Sequence, residues 1–286
     1  MIFIYGYGYT SQHLCKLLIS NKIIATSRNC EKKKSINDNI ELVAPSESNL
    51  IIKEYSDKIT HLLISVPPSD DGDLFLNNFN KDLQSLKNLK WVGYLSATSV
   101  YGDHKGEFVN ENSELLTKFT RGINRKLAED QWIDISNKYN LPLHIFRIAG
   151  IYGPQRSIID RMSSGNFINV IKDNHFFSRI YIDDLVNVIN ASMNKPNPIS
   201  IYNVADDLPS SLNDVVRYIS EKTGIIIDRE VQYSELSEDE KRESFFTENK
   251  KVNNKLIKEE LGVILKYPTY IAVSYTHLTL PTIYSV

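Results

Sequence analysis

Two glycines separated by a single residue follow the first apolar run of this chain, and they constrain its fold more than any other feature. The run Ile2–Tyr5 (IFIY) ends at Gly6, and Gly8 precedes a segment whose leucines recur at helical spacing. This order predicts a buried strand, a tight turn and a helix. The first glycine lets the chain turn sharply, and the second lets the backbone approach a ligand closely. Ser11 stands where a third glycine would allow close packing of helix on strand, and a small serine is a mild departure.

The strand, turn and helix together predict a binding site for the pyrophosphate of a dinucleotide. The amino end of the helix presents unpaired backbone N–H groups and the positive end of the helix dipole, and both attract an anion. The cofactor contacts predicted in this turn are Gly6, Gly8, Tyr9, Thr10 and Ser11.

The end of the second predicted strand indicates which dinucleotide the site prefers. NAD sites usually place an acidic residue there for the ribose hydroxyls, whereas an arginine suits the extra phosphate of NADP. The stretch reads Thr26-Ser27-Arg28-Asn29 and has no carboxylate before Glu31. Ser27 and Arg28 therefore predict NADP as the cofactor, with NAD as the alternative.

Strands and helices alternate through the first half of the chain, which predicts an α/β fold with a Rossmann-like, doubly wound parallel sheet. The predicted strands are 2–5, 23–27, 40–43, 61–66, 91–98 and 143–149, and the predicted helices are 11–20, 74–89 and 120–139. The fourth strand is closed by prolines, which cannot continue a central ladder. Val66 and Pro67 at its end are predicted to contact the cofactor.

The pattern changes after Tyr152 and divides the chain into three parts. Residues 1–150 form the predicted dinucleotide-binding domain. Residues 151–273 form a smaller, mixed α/β substrate-binding region, in which 176–193 is predicted to return to the main sheet. Residues 274–286 (SYTHLTLPTIYSV) carry no charge and resemble a translated cloning artefact, so we predict a non-native tail; a native edge strand is the alternative.

Composition argues against several classes of partner. The net charge is −2, which gives no electrostatic case for nucleic acid or an anionic membrane. No stretch reaches the roughly 20 apolar residues of a membrane helix. Cys15 and Cys30 have a spacing that fits no metal or redox motif, and so few cysteines favour a reducing compartment. We therefore expect a cytoplasmic protein, monomeric or homodimeric, that binds a small molecule and no metal.

Four later segments make the chain similar to a known superfamily. They are LSATSVYG (95–102), RIAGIYGP (147–154), RIYIDDLVNVI (179–189) and IYNVADD (201–207). With the glycine turn, they occur in the order typical of extended short-chain dehydrogenases/reductases, the NAD-dependent epimerase/dehydratase superfamily. The chain most resembles a poorly characterised bacterial branch. The resemblance implies an NAD(P)-dependent oxidoreductase or epimerase that acts on a small anionic or nucleotide-sugar-like substrate.

The resemblance also implies a catalytic Ser/Thr, Tyr and Lys, and this chain keeps only part of that set. Lys126 matches the lysine, but Gly122 stands at the tyrosine position and Ala97 at the Ser/Thr position. Thr98 and Tyr101 are the remaining hydroxyl candidates, so the predicted catalytic residues are Thr98, Tyr101 and Lys126, with Lys126 also on the cofactor ribose. Gly122 has two explanations: another group fills the space of the phenol, or the helix begins later.

The prediction of an anionic substrate rests on arginines in the second half of the chain. Arg179 matches an arginine that nucleotide-sugar members of the superfamily use to hold substrate phosphate, and Arg156 follows the GP turn where a substrate would enter. Arg147 lies within a strand and is expected to be structural. The missing tyrosine favours an alternative function, a non-catalytic NADP-binding sensor or structural protein.

Overall fold

The structure is a computed structural model that describes residues 1–30, 34–165, 167–197, 199–243 and 245–273. The predicted tail, 274–286, lies outside the described residues. The strands are β1 (Ile2–Tyr5), β2 (Ile23–Thr26), β3 (Lys34–Asn37), β4 (Ile40–Val43), β5 (His61–Ile64), β6 (Trp91–Ala97), β7 (Phe108–Val109), β8 (Leu143–Ile148), β9 (Gly150–Tyr152), β10 (Ile168–Ile171), β11 (Arg179–Tyr181), β12 (Ser200–Val204), β13 (Arg229–Gln232) and β14 (Lys251–Val252).

Helices connect most of these strands. They are α1 (Tyr9–Leu17), α2 (Ser48–Glu54), α3 (Leu74–Phe79), α4 (Thr120–Tyr139), α5 (Ile158–Ser163), α6 (Ile182–Met193), α7 (Leu212–Thr223), α8 (Glu238–Glu243) and α9 (Lys255–Glu259). No helix among the described residues is both long enough and apolar enough to cross a bilayer.

The main sheet has eight strands in the order β12-β8-β6-β5-β1-β2-β4-β3. All neighbours pair in parallel except β3 and β4, which are antiparallel. The chain leaves β1 toward β2 on one side and later returns to β5 on the other. This reversal opens a crevice at the carboxyl ends of β1 and β5, where ligands bind in folds of this kind. The predicted doubly wound parallel sheet is confirmed.

Helices cover both faces of the sheet because successive side chains of a strand point to opposite faces. Ile2 and Ile4 of β1 pack in the cluster that includes residues of α1 and α6. Phe3 and Tyr5 pack in the opposite cluster, with residues of α2, α3 and α4. The apolar run of β1 is therefore buried on both faces, as its sequence predicts.

The segment 176–193 only partly follows its prediction. Helix α6 does pack against the main sheet, beside α1. Strand β11, however, pairs with β9 in a separate two-stranded sheet, and β12 is the strand that extends the main sheet beside β8. The position beside β8 in the main sheet is filled by β12, so β11 pairs instead with β9, which follows β8 after one residue.

One predicted helix is shorter in the structure, and a segment near the carboxyl end forms two short elements. The segment 74–89 forms α3 and then a separate 3-10 turn at Asp82–Ser85. This lysine-rich segment forms β14 and the short α9. Strand β14 pairs with β7, a partner distant in sequence.

A buried polar group joins the sheet to α6. The ring of His144, on β8, contacts the hydroxyl of Ser192 at 3.1 Å and the backbone oxygen of Asn197 at 3.1 Å. The indole N–H of Trp91 donates to the same hydroxyl at 2.9 Å. Burial lowers the pKa of His144 to about 4, so the folded protein keeps this ring neutral.

We predict that His144 destabilises the protein in acid. Its reference pKa is 6.5 and its folded pKa about 4, so between these values unfolding takes up a proton. The contribution of neutral His144 is complete above pH 6.5 and decreases as the pH falls toward 4, by up to about 1.4 kcal/mol per pH unit. The free energy of unfolding, measured in urea and plotted against pH over this range, should have slopes for wild type and His144→Gln that differ by the uptake of about one proton. Parallel curves would contradict the prediction.

Candidate functional site

The glycine turn closes against the end of β5 at the crevice. Gly6 has a φ of +112°, and a Cβ there would lie 2.7 Å from Cγ2 of Val66. The N–H of Gly6 donates to Oγ1 of Thr26 at 2.9 Å, and the N–H of Tyr7 donates to the carbonyl of Thr26 at 2.8 Å. Glycine is required at position 6 for two reasons, its conformation and its contact with β5. The turn joins β1, β2 and β5 where a ligand would bind.

Ser11 stabilises this turn from inside. Its hydroxyl donates to the carbonyl of Gly6 at 2.7 Å, and the residue is fully buried. Thr10 is also buried. The side chains of these two predicted cofactor residues therefore lie inside the fold and do not face the solvent. The serine that replaces a third glycine contributes a hydrogen bond within the turn.

The amino end of α1 remains available to an anion. Gly8 is the N-cap residue, and no side chain accepts a hydrogen bond from the first turn of the helix. A Cβ added at Gly8 would meet no atom within 4 Å. The uncapped amino end of α1 therefore begins beside open space at Gly8, and helix ends of this kind attract anions.

The other predicted cofactor residues lie on the same edge of the sheet. Ser27 follows β2 and its N–H donates to the carbonyl of Val43 at 2.9 Å. Arg28 is exposed just beyond it, and Pro67 is exposed beyond β5 next to the half-buried Val66. The structure therefore brings the predicted turn, the arginine and the end of β5 to one crevice.

Gly122 lies inside α4 in direct contact with the loop after β6. A Cβ at this position would overlap Oγ1 of Thr117 and lie 2.6 Å from the carbonyl oxygen of Ser99. The helix begins at Thr120, before the glycine. Of the two explanations for Gly122, the structure supports the first: neighbouring protein groups fill the space in which a tyrosine side chain would begin.

The hydroxyl of Tyr101 lies inside the protein. It donates to Oδ1 of Asn203 at 2.7 Å and accepts from Nη1 of Arg147 at 3.1 Å, and the residue is fully buried. Burial raises the pKa of Tyr101, and Arg147 offsets part of that effect. In this arrangement both hydrogen-bond partners of the phenol lie inside the fold. Thr98 is half-buried and directly follows Ala97 at the end of β6.

A buried ion pair fixes α4 against the sheet. Nη2 of Arg147 lies 2.8 Å from Oε2 of Glu129, with 5% and 1% of their side chains exposed. Ser96 of β6 also donates to Glu129. Burial alone would lower the pKa of Arg147, but Glu129 outweighs it and the pKa is raised. The expectation that Arg147 is structural agrees with this geometry.

Two cations of α4 point in different directions. Nζ of Lys126 lies 2.6 Å from Oδ2 of Asp130, and 43% of the Lys126 side chain is exposed. Such an exposed pair is weak and can exchange for a ligand. Arg125 instead donates to the carbonyl of Leu95 on β6. The sequence analysis missed Arg125, because the spacing of the superfamily motif points only to the next residue.

Arg179 is 9% exposed and its guanidinium is held by backbone groups. Nη1 donates to the carbonyls of Phe177 at 3.0 Å and Ser210 at 3.2 Å. Burial lowers the pKa of Arg179, and nearby Asp206 partly offsets this. Burial raises the pKa of Asp206 itself to about 7. The arginine is therefore more deeply embedded than an ordinary surface anion contact.

Arg156 lies beside the glycine turn. Its guanidinium carbon is 5.5 Å from the centre of the Tyr9 ring, and the Tyr9 hydroxyl donates to the carbonyl of Pro154 at 3.0 Å. The predicted substrate arginine thus sits at the first residue of α1. Within the described residues, no group of three or more His, Cys, Asp or Glu side chains is arranged to hold a metal ion.

Comparison with solved structures found close relatives of this fold. A functionally unknown conserved protein from Silicibacter pomeroyi DSS is 39% identical, with 97% of each chain covered and a TM-score of 0.85. UDP-glucuronic acid 4-epimerase from Bacillus cereus in complex with NAD is 15% identical, with 93% of each chain covered and a TM-score of 0.71. dTDP-glucose 4,6-dehydratase from Bacillus anthracis in complex with NAD is 16% identical, covers 93% of this chain and 91% of its own, and has a TM-score of 0.74.

Two further comparisons gave nothing. No protein-family model matches this chain, and no curated protein matches it.

We predict that Gly122→Ala destabilises the protein, although alanine favours helices by about 1 kcal/mol over glycine. The added methyl group collides with Thr117 and the Ser99 carbonyl, and overpacking of this kind costs about 1–3 kcal/mol. Chemical unfolding measures the change. Thr117→Ala in the same chain should recover part of the loss, because it removes one of the two colliding groups. A more stable Gly122→Ala variant would refute the steric account.

Proposed function

Since the chain belongs to the family of the Silicibacter pomeroyi protein, and with it to the extended short-chain dehydrogenase/reductase superfamily, we propose that it binds NADP(H) in the crevice between β1 and β5. We propose further that it acts as an oxidoreductase or epimerase on a small anionic or nucleotide-sugar-like substrate. A nicotinamide dinucleotide supplies the hydride acceptor or donor for such a reaction.

The observation that carries this proposal is the geometry of the glycine turn. Gly6 packs so closely on Val66 that any side chain there would collide, and Gly8 leaves open space at the uncapped end of α1. These backbone features fit a pyrophosphate, which needs close approach and free N–H groups. Two fold neighbours were solved in complex with NAD, which supports a nicotinamide dinucleotide as the cofactor.

The preference for NADP rests on Arg28. The residue is exposed just after β2, and its guanidinium can fork onto a ribose phosphate. Ser27 adds a hydroxyl beside it. No carboxylate lies in the stretch Thr26–Asn29 to favour the ribose hydroxyls of NAD.

The substrate class rests on Arg179 and on the fold neighbours. The Arg179 guanidinium donates to two backbone carbonyls, and the attraction of nearby Asp206 offsets only part of the effect of burial on its pKa. A substrate phosphate or carboxylate would supply further negative charge. Neighbours of the same fold act on UDP-glucuronic acid and dTDP-glucose, which supports an anionic sugar nucleotide over a neutral substrate. We place the protein in the cytoplasm, as a monomer or homodimer.

The chemistry would depend on a reduced set of side chains. Lys126 is proposed to exchange Asp130 for the hydroxyls of the nicotinamide ribose. Thr98, at the end of β6, is the hydroxyl proposed to orient a substrate oxygen. Tyr101 was the other candidate, and its hydroxyl is bonded to Asn203 and Arg147, so we assign it a positioning role within the fold.

A second function has its own support, which is the loss of hydroxyls at two of the three catalytic positions. Ala97 and Gly122 carry none, and the space at Gly122 is filled. A positioned acid–base group typically contributes about 10²–10⁴ in rate, so its loss favours a protein that binds NADP(H) as a sensor or structural ligand.

A binding and turnover experiment separates the two functions. The purified chain is titrated with NADPH by fluorescence and then screened with carbonyl substrates and UDP-glucuronic acid. Turnover that falls in Thr98→Ala and Lys126→Ala supports the enzyme. Micromolar or tighter NADPH binding without turnover supports the non-catalytic protein. Failure to bind either NADPH or NADH would overturn both.

We predict that Arg28→Ala selectively weakens NADPH. A hydrogen-bonded charged contact is worth about 1.5–3 kcal/mol, so the Kd for NADPH should rise about 10- to 100-fold while that for NADH changes little. Lys22→Ala is the matched control, because Lys22 is an exposed cation just before β2, at the opposite end of the strand. An equal loss for both cofactors would contradict the assignment of Arg28.

A further inference from the structure

The loop after β9 is attached to the first residue of α1. Gly153, Pro154 and Gln155 form a turn in which the N–H of Arg156 donates to the carbonyl of Gly153 at 3.0 Å. Proline in the second position and a φ of +62° at Gln155 are features of a type II turn. The Tyr9 hydroxyl donates to the carbonyl of Pro154 at 3.0 Å. This turn is therefore held in one place, and Arg156 leaves it at a defined point.

Arg156 projects over the face of the Tyr9 ring, with its guanidinium carbon 5.5 Å from the ring centre. Tyr9 directly follows Gly8, where the open space at the amino end of α1 lies. When the guanidinium of an arginine stacks on an aromatic ring, its N–H groups lie at the edge of the guanidinium plane and are free to donate to an anion.

No carboxylate that the structure describes forms an ion pair with Arg156. Asp160 and Asp183 are close enough to Tyr9 to affect its pKa. The Asp160 carboxylate, however, accepts from the backbone and hydroxyl of Ser157 at 3.0 and 2.8 Å. Arg156 is therefore an exposed cation beside the first residue of the uncapped helix α1, and no described acid forms an ion pair with it.

We propose that Arg156 is a cofactor ligand whose guanidinium contacts the dinucleotide pyrophosphate from the side opposite the N–H groups of α1. The inference rests on the proposed dinucleotide binding and changes one assignment made from the sequence, where Arg156 was expected to bind substrate. The pyrophosphate then lies between a helix end of the first domain and a turn of the substrate-binding region. Arg156 then links these two parts of the chain through the bound cofactor. This link adds to the hydrogen bond that the Tyr9 hydroxyl donates to the carbonyl of Pro154.

The test compares ligands with and without a pyrophosphate on the full chain. Dissociation constants are measured for NADPH, ADP-ribose and 2′-AMP in wild type, Arg156→Ala and Arg156→Lys. Arg156→Ala should weaken NADPH and ADP-ribose about 10- to 100-fold and leave 2′-AMP within about twofold, since 2′-AMP lacks the pyrophosphate. Arg156→Lys should recover part of the loss, because it keeps the charge but not the planar fork.

Arg161→Ala is the matched control. Arg161 is an exposed arginine of the same region, and its guanidinium stacks 5.2 Å from the centre of the Phe167 ring. An equal loss in both alanine variants would mean general electrostatic attraction and overturn the proposal. An unchanged ADP-ribose affinity in Arg156→Ala would also overturn it. If wild type itself binds neither NADPH nor ADP-ribose, the proposed function fails first, so the two failures are distinguishable.

Discussion

The contact of Gly6 with Val66 is the constraint on which the binding edge of this protein depends. A side chain at position 6 would push β1 away from the end of β5, and the hydrogen bonds from the turn to Thr26 would be lost with it. The direction of α1 follows from this turn, and so does the open space at Gly8. The site is made almost wholly of backbone groups, which explains why Ser11 can replace a glycine: its small hydroxyl adds a bond to Gly6 without changing the path of the chain.

The buried pair of Arg147 and Glu129 has a comparable role on the other side of the crevice. It joins α4 to β8, and Ser96 and Tyr101 bond to the same two side chains. RIAGIYGP, one of the segments that carry the resemblance, supplies Arg147, and α4 supplies Glu129. This part of the resemblance therefore reflects packing of the domain. It carries less information about catalysis than the substitutions at positions 97 and 122 do.

Features that depend on neighbours in sequence could be predicted, and features that depend on distant contacts could not. The strand, turn and helix at the amino end are local, and α4 was predicted at 120–139, the range observed. Glycine at 122 looked unfavourable because its reason, the collision with Thr117 and Ser99, comes from a loop that packs only in the folded chain. The pairing of β11 with β9 and the position of Arg156 over Tyr9 are long-range in the same sense. Hydrophobic pattern cannot distinguish such pairings, since a short apolar strand fits several places in a sheet.

Binding and chemistry depend on different kinds of group in this fold. The proposed binding uses glycines, a helix end and a few exposed arginines, and the chain has all of these. In the superfamily that the sequence resembles, chemistry uses hydroxyls at fixed places, and this chain has Ala97 and Gly122 at two of them. The absence of a positioned proton donor raises a barrier by about 3–5 kcal/mol. We expect the proposed affinity for a dinucleotide not to depend on these two positions, because neither position 97 nor position 122 takes part in the glycine turn. Affinity and turnover are therefore separate properties of this chain, and evidence for one does not establish the other.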